Sequence, residues 1–298
     1  MFELIQVGEK TYYIESFTKI GVYLTSDTDA YLVDSGENDT VARKLLQILG
    51  ERGWRLRGIL NTHSHVDHIG GNRLLQRETG CPVYCHASDI SFVEHPELTP
   101  AFFYGGYPFA ELRGHFFSVG GSRATELTAD ELPPGLEVTS LDGHSFSILG
   151  FRTDDGVWFL SDCLMSERSL ARLHVSFVYD VAAYLATLEK VKTLDGALFV
   201  PSHAAPTRDI APLAEANARK VREIAGRLAE ICAAPTSTED AVAALIDAYG
   251  LRMSHIQHPF MSITIRSYLA YLRDRGDLTV ALEGGRLLWE RAPRGALR

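Results

Sequence analysis

Four metal-ligating side chains crowd six positions of this chain: His63, His65, Asp67 and His68, within Thr62-His63-Ser64-His65-Val66-Asp67-His68. Residues two apart on an extended segment face the same side, so His63 and His65 should point together. Asp67 and His68 begin the turn into the next helix and can reach the same pocket from another direction. Gly70-Gly71 would let the backbone pass close to the site with no side chain in the way. Neutral imidazoles and a carboxylate suit zinc, and also iron or manganese. Four ligands do not complete two metal shells, so the remainder is sought at other strand ends. His144 follows an apolar run ending at Leu141, Asp162 closes Val157-Trp158-Phe159-Leu160-Ser161, and His203 closes Leu198-Phe199-Val200-Pro201-Ser202. Open α/β sheets bind ligands beyond the carboxyl ends of their strands.

The ordered series HSHVDH at 63–68, Gly143-His144, Ser161-Asp162 and Ser202-His203 resembles the ligand series of the metallo-β-lactamase superfamily over residues 1–210. The resemblance implies an α/β fold, a four-layered αββα sandwich with metal at one edge of its two sheets. It implies two divalent ions, zinc first and iron or manganese as alternatives. His63, His65 and His144 would hold one, Asp67, His68 and His203 the other, and Asp162 would bridge them. Two departures stand out. Ser161 occupies a position where family members often have Gly, and Leu141-Asp142-Gly143-His144-Ser145 replaces the usual proline-rich stretch. Neither removes a ligand. The superfamily's di-iron flavoproteins carry Glu where His65 stands, so the histidine favours the hydrolytic members. True β-lactamases often carry Cys where Asp162 stands, which argues against antibiotic hydrolysis.

The expected reaction is attack by a metal-bridging hydroxide on a small ester, thioester or lactone. Asp67 is the candidate catalytic residue, orienting the nucleophile and passing a proton to the leaving group. Two readings compete with it: a β-lactamase-like nuclease acting on RNA or DNA, and a sulfur dioxygenase using one iron. Thr62, Ser64 and Asp142 are the nearby candidates for orienting the imidazoles. His174 and Tyr179, in the stretch after Asp162, are candidates for the substrate pocket wall. His86, His95, His115, His255 and His258 have no ligand-like context.

The elements that must position these residues can be read from periodicity. Thr11-Tyr12-Tyr13-Ile14, Gly21-Val22-Tyr23-Leu24 and Ala30-Tyr31-Leu32-Val33-Asp34 read as strands. Asp39 or Thr40 should cap a helix with Val41, Leu45, Leu46 and Leu49 inward and Gly53 at its end. A strand at 58–61, a helix at 69–79 and a strand at 82–85 continue an α/β rhythm. Residues 87–135 break it, and this insert, with aromatics over 102–117, reads as a lid that could wall an apolar pocket for an acyl chain. Strands are expected at 136–141, 146–152, 157–161 and 197–201, and a helix at 181–193.

A linking helix should fill 211–235. Residues 236–298 then read as helix to 249, helix at 262–275 and a hairpin around Glu283-Gly284-Gly285, a winged-helix-like subdomain. Ser237 and Asp240 have capping-box spacing. This tail holds eight Lys or Arg against seven Asp or Glu, a poor face for tracking phosphate. Dimerisation or packing is therefore the better role for it than DNA binding.

The chain has 298 residues and a formal net charge of −9, a balance that disfavours nucleic acid and anionic membranes as partners and leaves a small-molecule substrate. Cys81, Cys85, Cys163 and Cys232 form no disulfide framework and read as reduced thiols in a cytoplasmic protein. Cys163, beside Asp162 on a strand, should point the other way, into packing. No signal-like segment opens the chain, and no apolar stretch approaches the roughly 20 residues that span a bilayer.

Overall fold

The computed structural model describes residues 2–114 and 119–293. The first sheet holds β1 (Leu4–Gln6), β2 (Thr11–Ile14), β3 (Ile20–Leu24), β4 (Asp29–Val33), β5 (Arg55–Leu60), β6 (Val83–Cys85) and β7 (Ala124–Glu126), in that spatial order. β1 to β4 are antiparallel neighbours, and β4 to β7 are parallel. The second sheet has β8 (Leu136–Ser140), β9 (Leu149–Thr153), β10 (Val157–Met165) and β11 (Leu198–His203), ordered β11-β10-β9-β8, with β10 and β11 parallel. The sheets meet through one apolar layer: Tyr13, Tyr23, Val33 and Leu60 pack against Phe151, Val157, Phe159 and Val200. β10 is buried from Val157 to Leu164, as a central strand covered on both faces must be.

Helices cover both outer faces. α1 (Asp39–Arg52), α2 (Val66–Ile69) and α3 (Asn72–Thr79) lie on the first sheet, where Val41, Leu45, Leu49, Ile69 and Leu75 join its core. The cap of α1 falls one residue earlier than expected: Asn38 accepts from the Thr40 and Val41 amides, because its extended backbone leaves the side chain beneath the first turn. The expected helix over 69–79 is broken at Gly70-Gly71. A Cβ on Gly70 would collide with the Glu37 backbone and one on Gly71 with the Ser35 carbonyl. The glycines thus let 34–38 and 70–71 pass against each other under the site.

Among its described residues the insert carries short helices. It folds into α4 (Ile90–Glu94), α5 (Leu98–Tyr104) and α6 (Ala110–Gly114), then returns to the sheet as β7. β7 is short and polar, and only pairing with β6 defines it. His115 and the end of the aromatic run, 115–118, lie outside the described residues. α7 (Glu167–Leu173), α8 (Val181–Val191) and α9 (Ala211–Ile231) follow on the second sheet. β12 (Thr236–Ser237), α10 (Thr238–Ala248), α11 (His258–Asp274), β13 (Leu278–Glu283) and β14 (Arg286–Arg291) complete the chain.

A single apolar cluster runs from Leu141 through Cys163, Leu188, Val221 and Leu245 to Leu269 and Leu278. The C-terminal helices are therefore part of the fourth layer's packing, and Cys163 is fully buried in it. Ser237 caps α10 as its spacing implies, accepting from the Asp240 amide. α11 starts four residues before the expected 262, with Pro259 in its first turn, where a missing N–H costs nothing. Gly284 and Gly285, both at positive φ (55° and 76°), make the two-residue turn of β13–β14. No helix among the described residues is long and apolar enough to cross a membrane.

Candidate metal centre

The parallel strands β5 and β11 and the long strand β10 deliver their ends to one edge of the sandwich, and the seven predicted ligands meet there. Ligand atoms of His63, His65 and His144 lie within 4.8 Å of one another, as do those of Asp67, His68, Asp162 and His203. Asp162 joins the groups: its carboxylate is 3.1 Å from His68 Nε2, 3.1 Å from His203 Nε2 and 3.6 Å from His144 Nε2. Asp162 does not close its strand as expected, since β10 continues to Met165. The chain instead bulges at Ser161, which sits at φ 53° and shifts the pairing with β11. A left-handed residue here turns the carboxylate into the edge, and glycine would adopt it with less strain. Serine brings a compensation: its hydroxyl donates to Thr62 Oγ1 (2.7 Å) and lies 3.2 Å from His63 Nδ1.

The hydrogen bonds around the rings assign their tautomers. The Thr62 hydroxyl donates to Asp34 Oδ2 at 2.8 Å, so its contact with His63 Nδ1 (3.1 Å) requires the ring N–H to donate. His68 Nδ1–H donates to Asp34 at 2.7 Å, and His144 Nδ1–H to the Phe177 carbonyl at 3.0 Å. Each of these rings therefore keeps Nδ1–H outward and turns Nε2 toward the centre. The residues fit a metal: His63 Nε2 is buried with no hydrogen-bond partner, and His68 Nε2 and Asp162 Oδ1, though 3.1 Å apart, are not aligned for a hydrogen bond. Buried polar atoms are rarely left so, and converging imidazole nitrogens and carboxylate oxygens are ligands for zinc, iron or manganese.

Titration separates the two groups. Burial, reinforced by neighbouring imidazoles, holds His63 well below the usual histidine range and His65 at about 3. Burial also lowers His144. Those three rings are neutral and ready to ligate. Burial acts in the same direction on His68 and His203, but Asp162, with Asp34 or Asp67, outweighs it and raises both, His203 to about 10. Burial opposes ionisation of Asp67 and Asp162, and the facing imidazoles overcome it, holding both below the carboxylate range. Without a cation, protons on His68 and His203 balance the two carboxylates; a divalent ion would take their place.

Sequence reasoning missed several supporting groups. Asp34, 1% exposed at φ 65°, accepts from the Thr62 amide, the Thr62 hydroxyl and His68. The Thr18 hydroxyl donates to Asp67 Oδ2 at 2.8 Å. Asp89, fully buried, accepts from Ser64 (2.5 Å) and Ser147, tying the loop of His63 and His65 to the turn of His144. Of the expected helpers, Thr62 orients rings, Ser64 acts through Asp89, and Asp142 does neither. Asp142 bonds Ser140 and the Ile148 amide and so closes its own turn. Tyr179 reaches the pocket beside His65. His174 does not: at the end of α7 it stacks on Tyr249 with ring centroids 4.7 Å apart. Its backbone at φ 56° ends the helix and turns the ring away, and no neighbouring residue type signals that turn.

The family model for the metallo-beta-lactamase superfamily matches residues 20–203. A hydroxyacylglutathione hydrolase of Methylococcus capsulatus is 53% identical over 49 residues, 16% of this chain and 19% of that protein. One from Cereibacter sphaeroides is 32% identical over 149 residues, 47% of this chain and 49% of that protein. The chain thus spans half or less of these curated relatives. A metallo-beta-lactamase family protein of Thermus thermophilus superposes with a TM-score of 0.70 at 18% identity, covering 97% of both chains. A beta-lactamase domain protein of Burkholderia ambifaria gives 0.69 at 17%, covering 97% of this chain and 94% of that one. At such identities these structures show a shared fold.

Proposed function

The chain belongs to the metallo-β-lactamase superfamily, and from that premise we propose that it is a binuclear metal-dependent hydrolase cleaving a small ester, thioester or lactone. The observation that carries this reading is the pair of ligand groups meeting at Asp162. His63, His65 and His144 would hold one divalent ion, Asp67, His68 and His203 the other, with Asp162 between them and zinc the best match to the donor set. Bound ions would supply Lewis acidity, lowering the pKa of water and polarising the substrate oxygen.

The chain's own part is positional. Thr18 and His203 hold Asp67 Oδ2, leaving Oδ1 to orient the attacking water and carry its proton to the leaving group. The Asp34–Thr62–Ser161 network keeps the His63 and His68 rings in the ligating tautomer. The match to hydroxyacylglutathione hydrolases supports an acyl-thioester class of substrate.

A phosphodiester substrate has less support. On the C-terminal helix Arg266 pairs with Glu239 and Arg273 with Asp274, while Arg275, just beyond it, pairs with Asp277, so each of these cations has an acidic neighbour. We read residues 1–210 as the catalytic unit, 211–235 as the linking helix and 236–298 as a winged-helix-like unit. Exposed Val280, Leu282 and Leu287 suit that unit to pairing with a second copy, which sedimentation at graded concentration would test.

Elemental analysis of purified protein, joined to a turnover screen of thioesters, lactones, phosphodiesters and RNA, tests the function. About two metals per chain and acyl turnover are expected. Less than one metal per folded chain, or turnover of phosphodiesters alone, would overturn it.

A further inference from the structure

Beside His65 lies a pocket that the hydrolytic machinery does not use. Phe92, Phe102, Phe103, Phe146, Phe177 and Tyr179 wall it, and no Lys, Arg, Asp or Glu is among the described residues that line it. The rings pack tightly: Phe146 lies 4.6 Å from Tyr179 and 4.8 Å from Phe102, centroid to centroid. The space they enclose is about 10 Å³, near the minimum for one water. One polar group stands out. Thr99 is 4% exposed, yet its hydroxyl has no hydrogen-bond partner. A native hydroxyl in that state calls for an absent partner.

Admitting a group larger than water would require one wall to move. α5 carries Thr99, Phe102 and Phe103, has only seven residues, and ends on Gly105 at φ 74°. Phe260, near the start of α11, backs it with its ring 4.3 Å from Phe103. A small hydroxyacyl group would leave these rings packed on one another. A flat aromatic group would replace ring–ring contacts with ring–ligand contacts of the same kind.

We propose that this pocket receives the substrate's acyl group, and that this group is aromatic, uncharged and bears one polar substituent hydrogen-bonded by Thr99. This rests on the acyl-hydrolase reading for its meaning, but not for its test. The probes are the free acids phenylacetate, its three monohydroxy isomers, lactate and acetate, titrated calorimetrically into the metal-loaded protein. The carboxylates of phenylacetate and acetate are alike, so the difference between those two reports the pocket, while the lactate α-hydroxyl adds a second contact to metal.

Phenylacetate should bind at least about tenfold tighter than acetate, since apolar pockets discriminate by roughly ten- to two-hundredfold for each methylene. At least one hydroxy isomer should bind tighter still. Thr99→Val should erase that last gain and leave phenylacetate unchanged. Phe102→Ala should cost phenylacetate about fivefold or more without affecting acetate, with Phe102→Leu as the partner variant should the alanine form unfold. Equal binding of phenylacetate and acetate would overturn the proposal, and no gain for any hydroxy isomer would overturn the role of Thr99.

Thioesters of the same acids with N-acetylcysteamine separate the two readings. Strong phenylacetate preference with no acyl turnover at full metal content would sink the hydrolase and keep the pocket. Turnover with no preference in binding would do the reverse.

Discussion

Asp34→Asn should separate the two halves of the metal centre. In the native protein Asp34 Oδ1 accepts from the Thr62 amide at 2.8 Å, and Oδ2 accepts from the Thr62 hydroxyl at 2.8 Å and from His68 Nδ1 at 2.7 Å. Asparagine fits the space and tolerates the left-handed backbone at φ 65°, but it has only one acceptor oxygen. If that oxygen serves Thr62 Oγ1 and His68, the amide NH2 opposes the Thr62 N–H and a buried donor is stranded. If it serves the Thr62 N–H, the NH2 faces His68 Nδ1. The ring must then carry its proton on Nε2, the atom facing Asp162.

Either arrangement costs about 1–3 kcal/mol in the metal-free protein, the penalty for one unsatisfied buried polar group. Loss of such a partner typically weakens metal binding about ten- to a hundredfold. The loss should fall on the Asp67–His68–His203 group and spare His63–His65–His144, since Asp34 reaches His68 and contacts His63 only through Thr62. Competitive chelator titration resolves the two binding steps, and urea unfolding of the apo protein gives the stability change. Two unchanged steps, or equal weakening of both, would refute the assignment of Asp34 to His68.

Three further outcomes follow from the same geometry. Asp162→Ala should weaken both metal-binding steps together and leave fewer than one ion per chain, since both ligand groups turn on that carboxylate; full metal content by elemental analysis would contradict it. The two groups should differ in pH dependence. His203 is raised to about 10 in the apo protein, so its ion pairs stabilise the apo fold fully below about pH 6.5 and are lost as pH climbs toward 10. Metal must displace the protons on both His203 and His68, so affinity at the second group should rise by up to about a hundredfold per pH unit in this window. His65, held at about 3, gives the first group a flat profile there, and chelator titrations at stepped pH would show both. Asp89→Ala should cost about 2–6 kcal/mol in urea unfolding, about 1–3 for each of the stranded Ser64 and Ser147 hydroxyls, while Asp89→Asn, which keeps an acceptor, should cost less.

The ligand series was legible because its spacing is local. His63, His65, Asp67 and His68 share one turn of chain, and each remaining ligand lies in or beside an apolar strand run. α1, α10 and the Gly284-Gly285 hairpin were legible for the same reason, since caps, periodicity and turn residues act within a few positions. The Asn38 cap and the Pro259 start of α11 carried readable signals that were misplaced by a few residues. β7 carried none: three residues without apolar alternation are a strand only because β6 offers them hydrogen bonds.

Asp34 shows the limit most clearly. It closes a strand, and nothing near it in sequence says that it will meet His68, 34 residues on. The Phe177 carbonyl, the Asp89 tie and the packing of Phe260 on Phe103 are likewise contacts across long separations. The opposite error occurred at His174, whose place in the chain suggested the pocket and whose backbone turns it onto Tyr249.

Residue types and short spacings therefore determined which atoms can bind metal and which elements carry them. Only the tertiary structure decided which nitrogen each ring presents, which distant groups hold the rings in place, and what the neighbouring pocket will admit. Those properties depend on hydrogen bonds and packing between segments far apart in the chain, whose energies exist only once the two sheets have closed on each other.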